Sequence, residues 1–155
     1  MTLYVERVVQ RKCSRMIEVV SGTHGWVADP WDYNSLRFLQ FQAGGEGLLL
    51  YGYGQSIYAK IVCGWEVTTA GLLALSYRKS PPYQRFQGFT PSTGSLGKEV
   101  AYTLLEGEIA GTGSIVGLPY KLFWTLELDQ SPWPEGLELP YGTPQTFYGY
   151  TAGEK

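Results

Sequence analysis

The sequence predicts a mainly β chain, an antiparallel meander closed into a barrel of about 8–10 strands with one N-terminal amphipathic helix. Three observations carry this. Residues 36–79 run LRFLQFQ, AGGEG, LLLYGYG, QSIYAKIVCGWEVTT and AGLLALSYRK, successive runs rich in apolar, β-branched and aromatic residues broken by glycine. The longer runs alternate apolar and polar residues with a period of two, the mark of a sheet covered on one face. A long meander with few helices must also close or stack to hide its edges.

The elements follow in order. Val5, Val8, Val9, Cys13, Met16, Ile17 and Val20 recur at three- and four-residue steps, which predicts a helix within residues 1–21. Arg7, Arg11 and Arg15 form a basic row on another face, and Ser21-Gly22 supplies a stop. Such a helix packs its apolar face on a barrel end or flank; a basic membrane-surface or partner helix is the sharper alternative. Residues 22–35, GTHGWVADPWDYNS, read as a turn-rich connector. After the strands of 36–79, residues 80–97 (SPPYQRFQGFTPSTGSLG) read as a loop. It is longer than the ~12–15 residues usual for a structureless connection, which suits a lid or binding loop. Strands resume at KEVAYTLLEGEI, SIVGLPY and KLFWTLELD, and a last one is expected around TFYGY. The reading is a single domain over 1–155, with the helix at 1–21 and the barrel over 36–150.

Alternation tells which side chains face inward. In 57–67 the odd positions are Ile57, Ala59, Ile61, Cys63, Trp65 and Val67, against Tyr58, Lys60, Gly64 and Glu66. In 120–129 the even positions are Tyr120, Leu122, Trp124, Leu126 and Leu128. Shorter stripes are Leu73-Leu75-Tyr77 and Val100-Tyr102-Leu104. The inward rings Trp65, Tyr77, Tyr102 and Trp124 are the candidate ligand-binding residues. Such rings fill a barrel solidly or line a cavity for one small apolar ligand.

Composition bounds the rest. A chain of 155 residues fits one domain and buries a core without metals or disulfides. A net charge of −2 offers no general attraction to nucleic acid or an anionic membrane, although residues 1–20 carry a local excess of base. Two cysteines without a CxxC spacing do not make a secreted disulfide framework. No run approaches the ~18 apolar residues of a membrane span. Charges interrupt the apolar stretch of the N-terminus, unlike a signal peptide. A cytoplasmic setting is the expectation.

No constellation demands a particular chemistry. The single histidine, His24, removes the usual zinc patterns, and no metal or cofactor is expected. Cys13 and Cys63 lie on apolar stripes, where thiols act as small hydrophobes; a Cys13/His24 pair is the nucleophilic alternative. The glycines at 111–117 have the wrong spacing for a dinucleotide fingerprint, and neither a P-loop nor a GxSxG occurs. Glu106 and Glu108 share a strand face beside a turn, which reads as solvated charge. Arg85 is interleaved with Tyr83, Phe86 and Phe89, an arrangement that stacks a ring or packs a loop. No catalytic residue is assigned.

The N-terminal helix, the Gly-X-Trp-like approach at Thr23-His24-Gly25-Trp26 and the long meander together resemble the calycin group, the lipocalins and fatty-acid-binding proteins. The resemblance implies a barrel that binds an apolar ligand. The first functional expectation is therefore a barrel for a small apolar or aromatic ligand. The alternative is an intracellular protein–protein interaction module, such as an inhibitor, immunity or adaptor protein. It would use the loop aromatics Trp31, Tyr33, Tyr83, Trp133 and Tyr141, expected to be exposed. An enzyme using isolated acids or tyrosines is the third.

Overall fold

The computed structural model describes residues 18–20, 25–29, 32, 34–107 and 120–152, with backbone alone at 120–123 and 150–152. Nine strands form one sheet: β1 (Gly25–Val27), β2 (Phe38–Phe41), β3 (Glu46–Tyr53), β4 (Ser56–Val67), β5 (Leu73–Tyr77), β6 (Gly97–Val100), β7 (Tyr102–Glu106), β8 (Tyr120–Leu128) and β9 (Thr146–Ala152). Their spatial order is β6-β5-β4-β3-β2-β1-β9-β8-β7, antiparallel at every pairing. The mainly β barrel expected from the sequence is the fold observed. Of the expected helix, residues 18–20 are helical and Val20 is fully buried; the rest of that helix lies outside the described residues.

The sheet order contains its own closure. The two outermost strands, β6 and β7, are joined through the single residue Ala101. One continuous stretch thus pairs with β5 through Leu73↔Val100 and then with β8 through Tyr102↔Leu128. Asp129 holds this corner. Its carboxylate accepts the Ala101 N–H at 3.0 Å, and its own N–H donates to the Ala101 carbonyl at 3.0 Å. The Gln130 side chain adds a bond to the Glu99 carbonyl at 3.2 Å. Both open edges are brought together there, so the sheet curls into a nearly closed barrel.

Burial follows the alternation. Ile57, Ala59, Ile61, Cys63 and Trp65 are buried, as are Leu73, Leu75, Tyr77, Val100, Tyr102, Leu126 and Leu128. The side chains of Tyr120 and Leu122 lie outside the described set. The largest fully buried side chains are Trp26, Trp133, Tyr51, Phe41 and Phe147, so aromatic rings fill the described interior.

Three expectations change. The connector at 22–35 contains β1, which bridges β2 and β9 through Trp26↔Leu39 and Trp26↔Gly149. A three-residue strand between turns has too few alternating positions to register in sequence. The loop at 80–97 carries structure of its own: isolated bridges pair Ser80 with Phe89 and Tyr83 with Phe86. The sequence also placed Trp133 on the surface, yet it is 1% exposed. Its indole packs against Tyr51 and Phe147, and that apolar contact outweighs a place in water.

Gly97 allows β6 to pair, because a Cβ there would stand 2.3 Å from the Leu75 carbonyl oxygen. Gly97→Ala should lower stability by roughly 1–3 kcal/mol in urea unfolding, the usual range for overpacking. Gly44→Ala, whose Cβ meets nothing within 4 Å, serves as the control. Equal midpoints for the two variants would contradict the β5–β6 pairing described.

Candidate functional site

One end of the barrel is crossed by residues 130–145, a strap between β8 and β9, and its sequence explains how it stays there. Pro132, Trp133 and Pro134 are all buried. The Trp133 ring meets Tyr51 edge-on at 5.6 Å and lies 5.9 Å from Phe147. Side chains on the barrel then satisfy strap backbone groups. Tyr77 Oη donates to the Pro132 carbonyl at 2.6 Å, and Lys98 Nζ donates to the Ser131 carbonyl at 2.8 Å while pairing with Glu135 at 2.9 Å. Further along, Tyr51 Oη donates to the Gly142 carbonyl at 2.7 Å and accepts the Tyr141 N–H at 2.8 Å. Arg37 donates to the Tyr141 carbonyl at 2.9 Å and is itself paired with Asp29. A loop this rich in proline has few backbone donors to form ladders, so anchoring falls to barrel side chains.

The second wall of the site is the short hairpin inside residues 80–89. Tyr83 and Phe86 exchange both backbone hydrogen bonds across Gln84-Arg85, a two-residue turn with Gln84 at a φ of 50°. Left-handed backbone is unfavourable for glutamine, and docking compensates. Gln84 Oε1 accepts the Ile57 N–H at 2.7 Å, and the Arg85 N–H donates to the Ile57 carbonyl at 3.2 Å. Phe86 is buried beneath the turn, so Arg85 is held at the barrel end.

Between strap and hairpin lies an open cleft of about 850 Å³. Residues 85–88 form one side, 136–141 the other, and Tyr58 of β4 the floor. Phe86, Leu137, Leu139 and Pro140 supply apolar wall; Arg85 and Glu138 supply the charges. An aromatic array frames it. Tyr141 stacks on Tyr53 at 4.4 Å and meets Tyr58 edge-on at 6.0 Å. The Arg85 guanidinium lies 5.8 Å from the Tyr58 ring centroid, and Lys60 Nζ lies 4.7 Å from that of Tyr83. These are cation–π distances, worth ~0.5–1 kcal/mol each where exposed. Arg85 makes no ion pair with any described residue.

The Tyr141 and Tyr51 phenols hold their protons more firmly than free tyrosine does. Its hydrogen bond with Tyr58 raises the Tyr141 phenol above its ordinary value, helped by the electrostatics of that neighbour and of Tyr53. Burial raises Tyr51, against the opposing influence of its backbone bond to Tyr141 and of Arg37. Away from the cleft, burial pushes Tyr77 far up and the Cys63 thiol up to about 12. Phenols that keep their protons donate hydrogen bonds, and a thiol that keeps its proton is no nucleophile. Among the described residues no three His, Cys, Asp or Glu side chains are placed to hold a metal ion. The arrangement is therefore equipped to bind: flat rings, phenol donors and one guanidinium fork.

The four ring residues singled out in the sequence take other places. Trp65 is 8% exposed, packs 5.4 Å from Phe41 and donates from Nε1 to the Gln42 carbonyl at 2.8 Å. Tyr77 is buried against Phe89 at 6.0 Å and anchors the strap. Tyr102 is buried on β7 and Trp124 half-buried on β8. Trp65 and Tyr77 share one arc of the inner wall, Tyr102 and Trp124 another, and none borders the cleft. Sequence reasoning missed Tyr58, which falls on the wet face of its strand, and the Leu137–Leu139 side of the strap. Arg85 among aromatics and Tyr141 were the legible signals. His24 and Cys13 lie outside the described residues. No protein-family model, curated protein or solved structure matches the chain. No helix among the described residues is long and apolar enough to cross a membrane, which says nothing of crossing by strands.

Two sets of predictions follow, the first from the strap contacts and the second from the buried Cys63 thiol. Tyr77→Phe leaves the Pro132 carbonyl buried without its donor and should cost about 1–3 kcal/mol. Tyr51→Phe removes both hydroxyl bonds and should speed limited proteolysis within residues 136–142; unchanged cleavage rates would mean the strap is held by something else. Secondly, in the Cys13→Ser variant Cys63 should resist a thiol reagent at pH 8 until the chain is unfolded. Because its folded pKa is raised from 9.0 to about 12, the thiol's contribution to stability is intact below pH 9 and is lost as pH climbs through that window. Rapid labelling of the native variant would show that the β4 face is not closed.

Proposed function

We propose that the protein is a small-molecule-binding barrel and that its ligand, apolar or aromatic with a flat ring, lodges in the cleft between hairpin and strap. The observation that carries this reading is the cleft itself. Its volume lies within the ~300–1,000 Å³ of small-molecule sites, and its lining offers apolar wall and polar groups in like measure. The ring stacks against Tyr58 or Tyr141, while Arg85 and the phenol hydroxyls take the ligand's polar atoms. Trp65, Tyr77, Tyr102 and Trp124 belong, in this reading, to the wall that shapes the barrel beneath it. The meander order supports a calycin-like kinship, and the ligand class that kinship implies is the one the cleft fits. The setting proposed is cytoplasmic.

The test is binding by the full chain. A panel of aromatic and apolar compounds, screened by native mass spectrometry and by tyrosine and tryptophan fluorescence, should yield a one-to-one complex. Arg85→Ala and Tyr141→Ala should each weaken it about tenfold or more, with melting temperatures close to the parent's. A panel without a binder, or a binder indifferent to both substitutions, would remove the cleft as the site.

A further inference from the structure

Several buried polar side chains of the barrel bond to backbone groups. Among the buried side chains, Tyr51 and Tyr77 place their hydroxyls on strap backbone, Trp65 bonds the Gln42 carbonyl, and Ser80 Oγ accepts the Val62 N–H at 3.0 Å. Trp26 and Trp133 do otherwise. Trp26 is 0% and Trp133 1% exposed, and neither indole Nε1 has a hydrogen-bond partner among the described residues. Buried indole N–H groups ordinarily find an acceptor, and leaving one unmade costs its full desolvation.

The strand register brings the two indoles into adjoining layers. Trp26 faces Gly149 across β1–β9 and Leu39 across β1–β2, and Leu39 faces Leu49 on β3. Phe147 and Tyr51 each lie two residues from that layer, on the same inward face, a step of roughly 6–7 Å. Trp133 rests on both of them. Beside Trp26 two neighbours are small: Gly149, opposite it in register, has no side chain, and buried Ala28, two residues along the chain, has only a methyl. The surroundings are also uncharged, since Ser80 is the sole polar or charged residue in the buried set among the described residues.

We infer that the barrel has an inner site, separate from the mouth cleft, where the indole N–H groups of Trp26 and Trp133 together grip one small uncharged oxygen acceptor. The acceptor is neutral because an anion placed there would have no buried cation to pair with. Its oxygen belongs to a water molecule or to the carbonyl or hydroxyl of a small neutral compound. Trp133 makes the site part of the strap, so the acceptor also fastens the barrel's cover to its wall. The inference stands on the two indoles and does not depend on what the cleft binds.

The experiment uses the full chain with ¹⁵N-labelled tryptophan, the indole signals being assigned from Trp26→Phe and Trp133→Phe. Both Hε1 protons should show dipolar contact with the same non-protein species. Contacts at the water frequency identify a held water. Contacts at other frequencies, with a compound released on denaturation and seen by mass spectrometry, identify an organic ligand. Independently, replacing the Trp133 indole by its sulfur isostere benzothiophene, which keeps shape and drops the N–H, should lower the folding equilibrium constant about 3–10-fold, the worth of one net hydrogen bond. Contact from one indole only, contact from neither, or an isostere at least as stable as the parent would each overturn the shared site.

Discussion

Everything in this molecule depends on the two outer strands of the sheet being neighbours in sequence. Because β6 runs into β7 through Ala101, the strand that leaves β5 must next lie against β8, and the sheet has to curl until this happens. Asp129 makes the bend affordable by supplying both a donor and an acceptor to Ala101 at the point where ladder pairing changes partner. Closure then settles which faces are wet. The period-two stripes on β4, β5 and β8 turn to the inside, and the outer face receives Tyr58, Lys60 and Glu66.

Closing a barrel leaves its ends, and at the end described here the chain uses two segments of different character. The 80–89 hairpin borrows the Ile57 backbone to hold an unfavourable turn, and the strap borrows phenol, guanidinium and ammonium groups to satisfy its carbonyls. Neither packs flush on the other. The cleft between them exists because each is tied to the barrel and not to its neighbour. The proposed site accordingly lies where anchored loops meet, with the barrel as support.

Much of this was legible in sequence. Glycine-punctuated runs and their alternation announced the strands, and the inward identity of Ile57 through Trp65 could be read from spacing alone, since side-chain direction in a strand is fixed by parity. β1 was hidden because three residues hold barely one period. Trp133 was misplaced because proximity to prolines marks a loop without telling which way its aromatic turns. The cleft was harder still. Tyr58, Arg85 and Tyr141 are scattered over more than eighty positions, and their meeting depends on hydrogen bonds accepted by Gln84 and Tyr51 that no local pattern encodes. Arg85 among aromatics hinted at a ring-stacking place; its partners came only with the fold.

The claim most exposed to test is closure at Ala101. Solution NMR of the full chain should show, in a single species, cross-strand proton contacts for both Leu73–Val100 and Tyr102–Leu128, together with slow exchange of the Ala101 amide. Finding one set of contacts without the other, or an Ala101 amide that exchanges at the rate of open chain, would mean that the sheet stays open, and the strap, the cleft and the inner site would lose their frame.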